Sequence, residues 1–183
     1  MLTLIHSFRL LAALTLLTGL LYPLAVWAVG RAFFPAQAEG SLLHRDSRLV
    51  GSALLAQPPA DPGHFWPRPS AAGYATVASG ASNQAWTSAT LGATIAARRT
   101  ALGGDNAPAD LLTASGSGLD PEISTAAAAF QLDRIAAARR LSPAQRDALV
   151  DLVARHTEGG QFSPARVNVL RLNLALDTAF PPS

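Results

Sequence analysis

From Leu10 to Val29 the chain reads LLAALTLLTGLLYPLAVWAV, an apolar run with no charge in it. At about 1.5 Å rise per residue a helix of that length reaches roughly 30 Å, the thickness of a bilayer's hydrocarbon core. The pattern predicts a transmembrane helix over 10–29, after a short flank at 1–9 and before a juxtamembrane linker at 30–39. Arg9 and Arg31 flank the span, Tyr22 and Trp27 suit the second interface, and Pro23 predicts a kink. A cleaved signal peptide ending at Ala36-Gln37-Ala38 fits less well, because such segments carry only about 7 to 15 apolar residues and that site lies far beyond the run. Thr15 and Gly19 stand four apart and, with Ala12 and Val26, make a stripe of small residues that would let a second helix approach closely in lipid. Leucines such as Leu16 are then left for the lipid side.

Beyond the linker the pattern becomes that of a soluble domain over 40–183. S-R-L-V-G-S-A-L-L-A reads as a first strand with Gly51 as a bulge. QPPADPGHFWPRPSAAGY is too punctuated for regular structure. Leu91, Ile95 and Leu102 fall at helical spacing, and Gly103-Gly104 ends that helix. PEISTAAAAFQLDRIAAARR is alanine-rich and helix-forming. L-S-P-A-Q predicts another helix start, with Ser142 as N-cap, Pro143 at N1 and Gln145 closing a capping box. Leu149, Leu152, Val153 and His156 share one face of that helix, and Gly159-Gly160 stops it. R-V-N-V-L-R-L-N-L-A-L-D opens with strand alternation at Val167 and Val169 and turns helical near Leu172. The fold class predicted is an α+β domain attached to a single amino-terminal transmembrane helix.

The least ordinary stretch is T-A-S-G-S-G-L-D-P-E-I-S, from Thr113 to Ser124. It fails the dinucleotide fingerprint, whose last glycine position holds Pro121, and Gly116-Ser117-Gly118 is too compressed for a nucleophile elbow. It suits a helix entry with Asp120 as N-cap, Pro121 at N1 and Glu122 in the first turn, the Gly-Ser pairs permitting a tight backbone before it. A structural corner is the leading reading. Free N–H groups at a helix start keep a binding or docking loop as the second.

Composition removes whole classes of chemistry. All 14 basic residues are arginine and there is no cysteine, so a Walker lysine, a Schiff base, thiolate metal sites and disulfides are excluded. The net charge of +2 is small and the arginines are scattered, which argues against nucleic acid. His6, His44, His64 and His156 show no metal-ligand spacing, and His156 reads as a packed or dipole-paired residue. From the residues alone this is a membrane-anchored domain without a visible active site, an accessory protein rather than an enzyme. The competing class is a standalone membrane-anchored hydrolase or ligand-binding protein.

In order along the chain, the span, H-F-W-P-R-P-S-A, Y-A-T-V-A-S-G-A-S-N, L-T-A-S-G-S-G-L-D-P-E-I-S, H-T-E-G-G and R-V-N-V-L-R-L-N-L-A-L-D resemble the C subunit of the bacterial Kdp potassium-transporting ATPase. The resemblance covers nearly the whole chain. It implies a non-catalytic subunit that stabilises a pump, with a potassium-conducting subunit and an ATP-hydrolysing subunit as partners, beside the lipid bilayer. It implies no tightly bound cofactor, with ATP reached only through the complex, where such a subunit raises ATP affinity. It also implies a domain on the periplasmic side of the inner membrane, whereas arginine counting around the span favours a cytoplasmic one. Docking falls to Ser79, Asn83, Ser115, Gly116, Ser117, Gly118 and Asp120. The sequence departs from the family pattern at Pro67, Ala81, Gln84 to Ala89, Glu122 and a short segment between Gly160 and Arg166.

Overall fold

The structure is a computed structural model, describing residues 1–59, 61–103 and 106–181. The chain divides into two compact units, Met1–Leu42 and Leu43–Ser183.

The first unit is dominated by one long helix, Leu2–Phe33, long and apolar enough to cross a membrane, with a mean hydropathy of 1.9 over its most apolar window. It comprises α1 (Leu2–Leu16), a π turn (Leu17–Leu21) and α2 (Tyr22–Phe33). The helix is thus longer than the apolar run itself. Pro23 has no N–H for the Gly19 carbonyl and its ring crowds that oxygen; the turn before it widens and the helix continues, as π turns allow. The Thr18 hydroxyl donates to the Leu14 carbonyl at 2.7 Å within the same stretch. A short helix α3 (Pro35–Ala38) follows, and Arg31, stacked on Trp27, pairs with Glu39 at 3.0 Å.

The second unit opens with a hairpin, β1 (Leu42–Arg45) and β2 (Arg48–Ser52). The segment expected as the first strand is the second. Asp46 and Ser47 both take positive φ, as the two central residues of a type I′ turn must. Neither is glycine, so the usual hairpin signal was missing. Gly51 has a close-approach role: a β-carbon there would lie 2.0 Å from the Gln57 amide nitrogen, which donates to the Val50 carbonyl.

Among its described residues the proline-rich stretch contains turns and bends only, as expected. Then come α4 (Ala89–Leu102) and the single turn α5 (Ala109–Leu112). Gly103 ends α4 in the left-handed conformation, while Gly104 lies outside the described residues.

The core is an antiparallel sheet in the order β3-β5-β4, covered by three helices. The strands are β3 (Glu122–Ser124), β4 (Thr157–Glu158) and β5 (Arg166–Asn168), and the helices are α6 (Thr125–Ala138), α7 (Pro143–Arg155) and α8 (Val169–Ala179). Ile123 and Val167, directly paired, are almost wholly buried. Against them pack Ala127, Ala128 and Ile135 of α6, Leu149 and Leu152 of α7, and Leu172 and Leu176 of α8. Ala127 and Ala128 have no exposed surface, which explains the alanine-rich segment: small side chains let α6 lie close to its neighbours. Phe65, from the proline-rich stretch, is the largest side chain in this core.

Three local expectations change. Asp120 is not a helix N-cap, because Glu122–Ser124 pairs with β5 in the register Glu122↔Asn168, Ile123↔Val167, Ser124↔Arg166. The helix begins after that strand, with the Ser124 hydroxyl accepting from Ala127 N at 3.0 Å. Gly159-Gly160 does not stop α7, which ends at Arg155 with His156 as C-cap. The two glycines turn the β4–β5 hairpin with φ of 84° and 101°, and Gly160 N donates to Ser163 O at 2.7 Å. Finally, α8 starts at Val169 rather than near Leu172, capped by the Asn168 side chain. The capping box at Ser142 and Gln145 is present as expected.

Candidate functional site

The corner at Ser115 to Asp120 is built from the backbone outward. Ser115, 2% exposed, donates its N–H to the Pro69 carbonyl at 3.0 Å, and its hydroxyl accepts from Gly118 N at 2.9 Å. Gly118 has φ of 71°, and a β-carbon there would stand 2.7 Å from the Gly80 carbonyl oxygen. Only glycine meets both conditions. The loop carrying Ser79 and Asn83 is therefore packed directly on the corner. Ser79 and Asn83 are exposed, Asn83 with φ of 50°, and Gly116 and Ser117 are exposed beside them.

The structure thus gathers the two expected docking segments on a buried Ser115–Gly118 base. Ser117 has a local role, its hydroxyl accepting from Leu119 N at 3.1 Å. Asp120 accepts from Glu122 N with one carboxylate oxygen and from Arg68 with the other, both at 3.1 Å. It is a turn and tether residue joining the corner to the H-F-W-P-R-P segment. Tyr74 donates its hydroxyl to the Arg68 carbonyl at 3.1 Å, and burial pushes that phenol up against the opposing pull of Arg98.

What holds this segment came from residues not singled out in the sequence. Asn173 of α8 accepts from Phe65 N at 2.8 Å and donates to Phe65 O at 2.9 Å. Gln131 of α6 does the same for Trp66, accepting from its N–H at 2.8 Å and donating to its carbonyl at 3.2 Å. Two helix side chains thus supply the hydrogen bonds a neighbouring strand would give. Arg134 lies 3.9 Å over the Trp66 ring and donates to Gln131, to the Pro62 carbonyl and to the His64 carbonyl. Burial pulls its guanidinium down to about 10, with Asp61 opposing.

A charge cluster closes the far side. Asp177 of α8 accepts from Arg139 at 2.5 Å, from Arg45 at 2.5 Å and lies 2.9 Å from His64 Nε2, while His64 Nδ1 is 2.6 Å from Asp61. Burial pushes the Asp177 carboxyl up, but the hydrogen bonds from Arg139, Arg45 and His64 outweigh it and hold it at about 2. The signal for these residues was present in the sequence as polar side chains at core-facing helical positions: Gln131 follows Ala127 and precedes Ile135 at spacing four, and Asn173 and Asp177 interrupt the apolar face of α8 at the same spacing.

In the first unit, Ala12, Thr15 and Gly19 line one groove of the long helix together with Phe8, Leu11, Leu16 and Leu20. A β-carbon on Gly19 would meet nothing within 4 Å. Val26 does not line the groove: it lies past the π turn, whose extra residue rotates the following face. Leu16, expected on the opposite side, lines the groove itself.

A family model described as KdpC, K+-transporting ATPase, c chain, matches residues 4–178. The chain belongs to the KdpC family. It is 52% identical over 178 residues to a protein of Gemmatimonas aurantiaca, covering 91% of this chain and 88% of that one. It is 49% identical to a protein of Burkholderia vietnamiensis, covering 92% of each. A relative from Rhodospirillum rubrum is 49% identical over 98% of this chain and 97% of its own. Each of the three is named a potassium-transporting ATPase KdpC subunit. The KdpC match takes in both the long apolar helix and the α+β unit.

Proposed function

We propose that this chain is the accessory subunit of an ATP-driven potassium-uptake pump in the bacterial inner membrane. The observation that carries the reading is the KdpC match over residues 4–178, which runs through both units. The long helix crosses the bilayer, with residues 10–29 in its hydrocarbon core and the α+β domain on the periplasmic side. Its partners are the potassium-conducting and ATP-hydrolysing subunits. The chain stabilises their complex and raises the ATP affinity of the hydrolysing subunit through that complex, without a tightly bound cofactor of its own.

Two surfaces suit this role. Gly116, Ser117, Ser79 and Asn83 are exposed on a base fixed by Ser115 and Gly118, so a partner meets an already ordered loop pair. The groove at Ala12, Thr15 and Gly19 takes a partner's helix, since helix association in lipid rests on close packing. The test is purification of the chain, tagged at its carboxyl end, from mild detergent extracts of cells expressing the whole operon. Recovery of a multi-span subunit and a P-type ATPase subunit in fixed ratio is expected; recovery of the chain alone from active membranes would overturn the reading.

A further inference from the structure

We propose that the domain carries an oxyanion site for a phosphate group, in the pocket between the end of α7 and the start of α8. The pocket has a volume of about 380 Å³ and is lined by Arg155, His156, Glu158, Asn168 and Arg171, with Leu43 and Leu174 as apolar walls.

The donors there are under-used. Arg155, exposed in the last turn of α7, has no hydrogen bond or ion pair among the described residues. Arg171 has one ionic partner, Glu158, at a slack 3.7 Å with both side chains about half exposed. His156 donates Nδ1–H to the Leu152 carbonyl at 2.9 Å, so Nε2 of the neutral ring is an acceptor and the anion donors are the two arginines. Asn168 donates one amide N–H to the Ala53 carbonyl and caps Arg171 N with its oxygen, so its side chain is held in place at the pocket wall.

A second observation concerns the helix ends. Arg155 sits where a cation is favourable, at a helix carboxyl end. Arg171 does not: it stands in the first turn of α8, where the helix dipole favours an anion, and no acidic residue occupies that turn. A bound oxyanion would bring negative charge to that helix end, whose Val169 and Arg171 N–H groups already have partners, and would engage both arginines together. Two planar guanidinium forks offer more donors than a carboxylate has oxygens, which selects phosphate chemistry. Glu158, on β4, opposes it and must turn outward, which its exposure permits; Asp151, one turn before Arg155 on α7, is a further exposed carboxylate.

The phosphate can come from a lipid headgroup, whose glycerol would meet Leu43 and Leu174, or from free phosphate. The full chain in detergent would be treated with phenylglyoxal and the modified arginines read by peptide mass. The arms are no addition, inorganic phosphate, phosphatidylglycerol, and phosphatidylcholine as the lipid control. Labelling of Arg155 and Arg171 is expected to slow severalfold with phosphatidylglycerol or with phosphate, but not at exposed Arg140. Protection by phosphatidylglycerol alone identifies a lipid headgroup; equal protection by inorganic phosphate identifies the free ion. Arg155→Gln and Arg171→Gln, both at exposed positions, should each abolish protection of the remaining arginine while leaving the thermal melt unchanged. No protection by either ligand, or protection only inside the assembled pump, would overturn the proposal, the latter pointing to a partner's carboxylate.

Discussion

Arg139 and Asp177 meet at 2.5 Å with side chains 4% and 12% exposed, and between them they anchor the loop that carries Phe65 and Trp66. Arg139 also donates to the Gly63 carbonyl at 2.7 Å and to the Phe180 carbonyl. One buried cation therefore joins the end of α6, the end of α8 and the proline-rich segment. Removing Asp177 leaves the Arg139 guanidinium buried without its carboxylate, which costs about 3 to 5 kcal/mol; removing Arg139 costs less, because Arg45 and His64 still face Asp177.

Acid stability follows from the same pair. Asp177 titrates at about 2 in the fold and at 3.8 without its partners. Its depressed value contributes about 2 kcal/mol, present above the unfolded value and lost as the pH falls from near 4 towards 2. Thermal melts of the full chain in detergent across that window should show a steep loss, and Asp177→Asn should flatten it while lowering stability at neutral pH. An unchanged slope in the variant would show that other carboxylates govern acid unfolding.

The Phe65–Trp66 clamp predicts that Asn173→Ala and Gln131→Ala each cost roughly 1 to 3 kcal/mol, because each strands a buried backbone donor and acceptor. Gln131→Ala should also shift the emission of Trp66, since it removes a partner of the stacked Arg134. Chemical denaturation followed by tryptophan fluorescence checks both.

The corner separates shape from chemistry. Gly118→Ala should destabilise the domain by more than about 1 kcal/mol, through both its positive φ and the Gly80 carbonyl. Ser117→Ala should leave pump turnover within a few-fold, since that hydroxyl makes only a local turn bond. Asp120→Ala should cost about 0.5 to 1.5 kcal/mol by losing the turn bond and the Arg68 contact. Loss of turnover in Ser117→Ala with the complex intact would contradict this division.

The helix groove predicts that Gly19→Leu weakens retention of the chain in the detergent-extracted pump, whereas Leu14→Ile, across the helix, does not. Quantitative mass spectrometry of the purified complex reads the difference. Equal retention would assign assembly to the soluble domain.

Much of this architecture was legible in short-range patterns. The apolar run announced the long helix, and Ser142-Pro143-Gln145 announced α7, because both signals are complete within a few residues. What was misread depended on distant partners. Asp120-Pro121-Glu122 has every local mark of a helix start, yet Glu122–Ser124 pairs with a strand 44 positions later in the chain, and that pairing wins. Gly159-Gly160 looked like a helix stop because β4 is only two residues long. The stripe lost Val26 because a π turn before Pro23 breaks the helical period. The corner at Ser115 to Asp120 stood out by its glycines, but Gln131 and Asn173, which hold its neighbour, look like ordinary polar helix residues until their core-facing spacing is read together.

Potassium-stimulated ATP hydrolysis should be measured for the pump purified from cells with and without this chain and then supplemented with the purified chain. Activity that is low or absent without it, at unchanged levels of the other subunits, and restored on its addition is the result expected of an accessory subunit. Full potassium-stimulated activity in its absence would contradict the account.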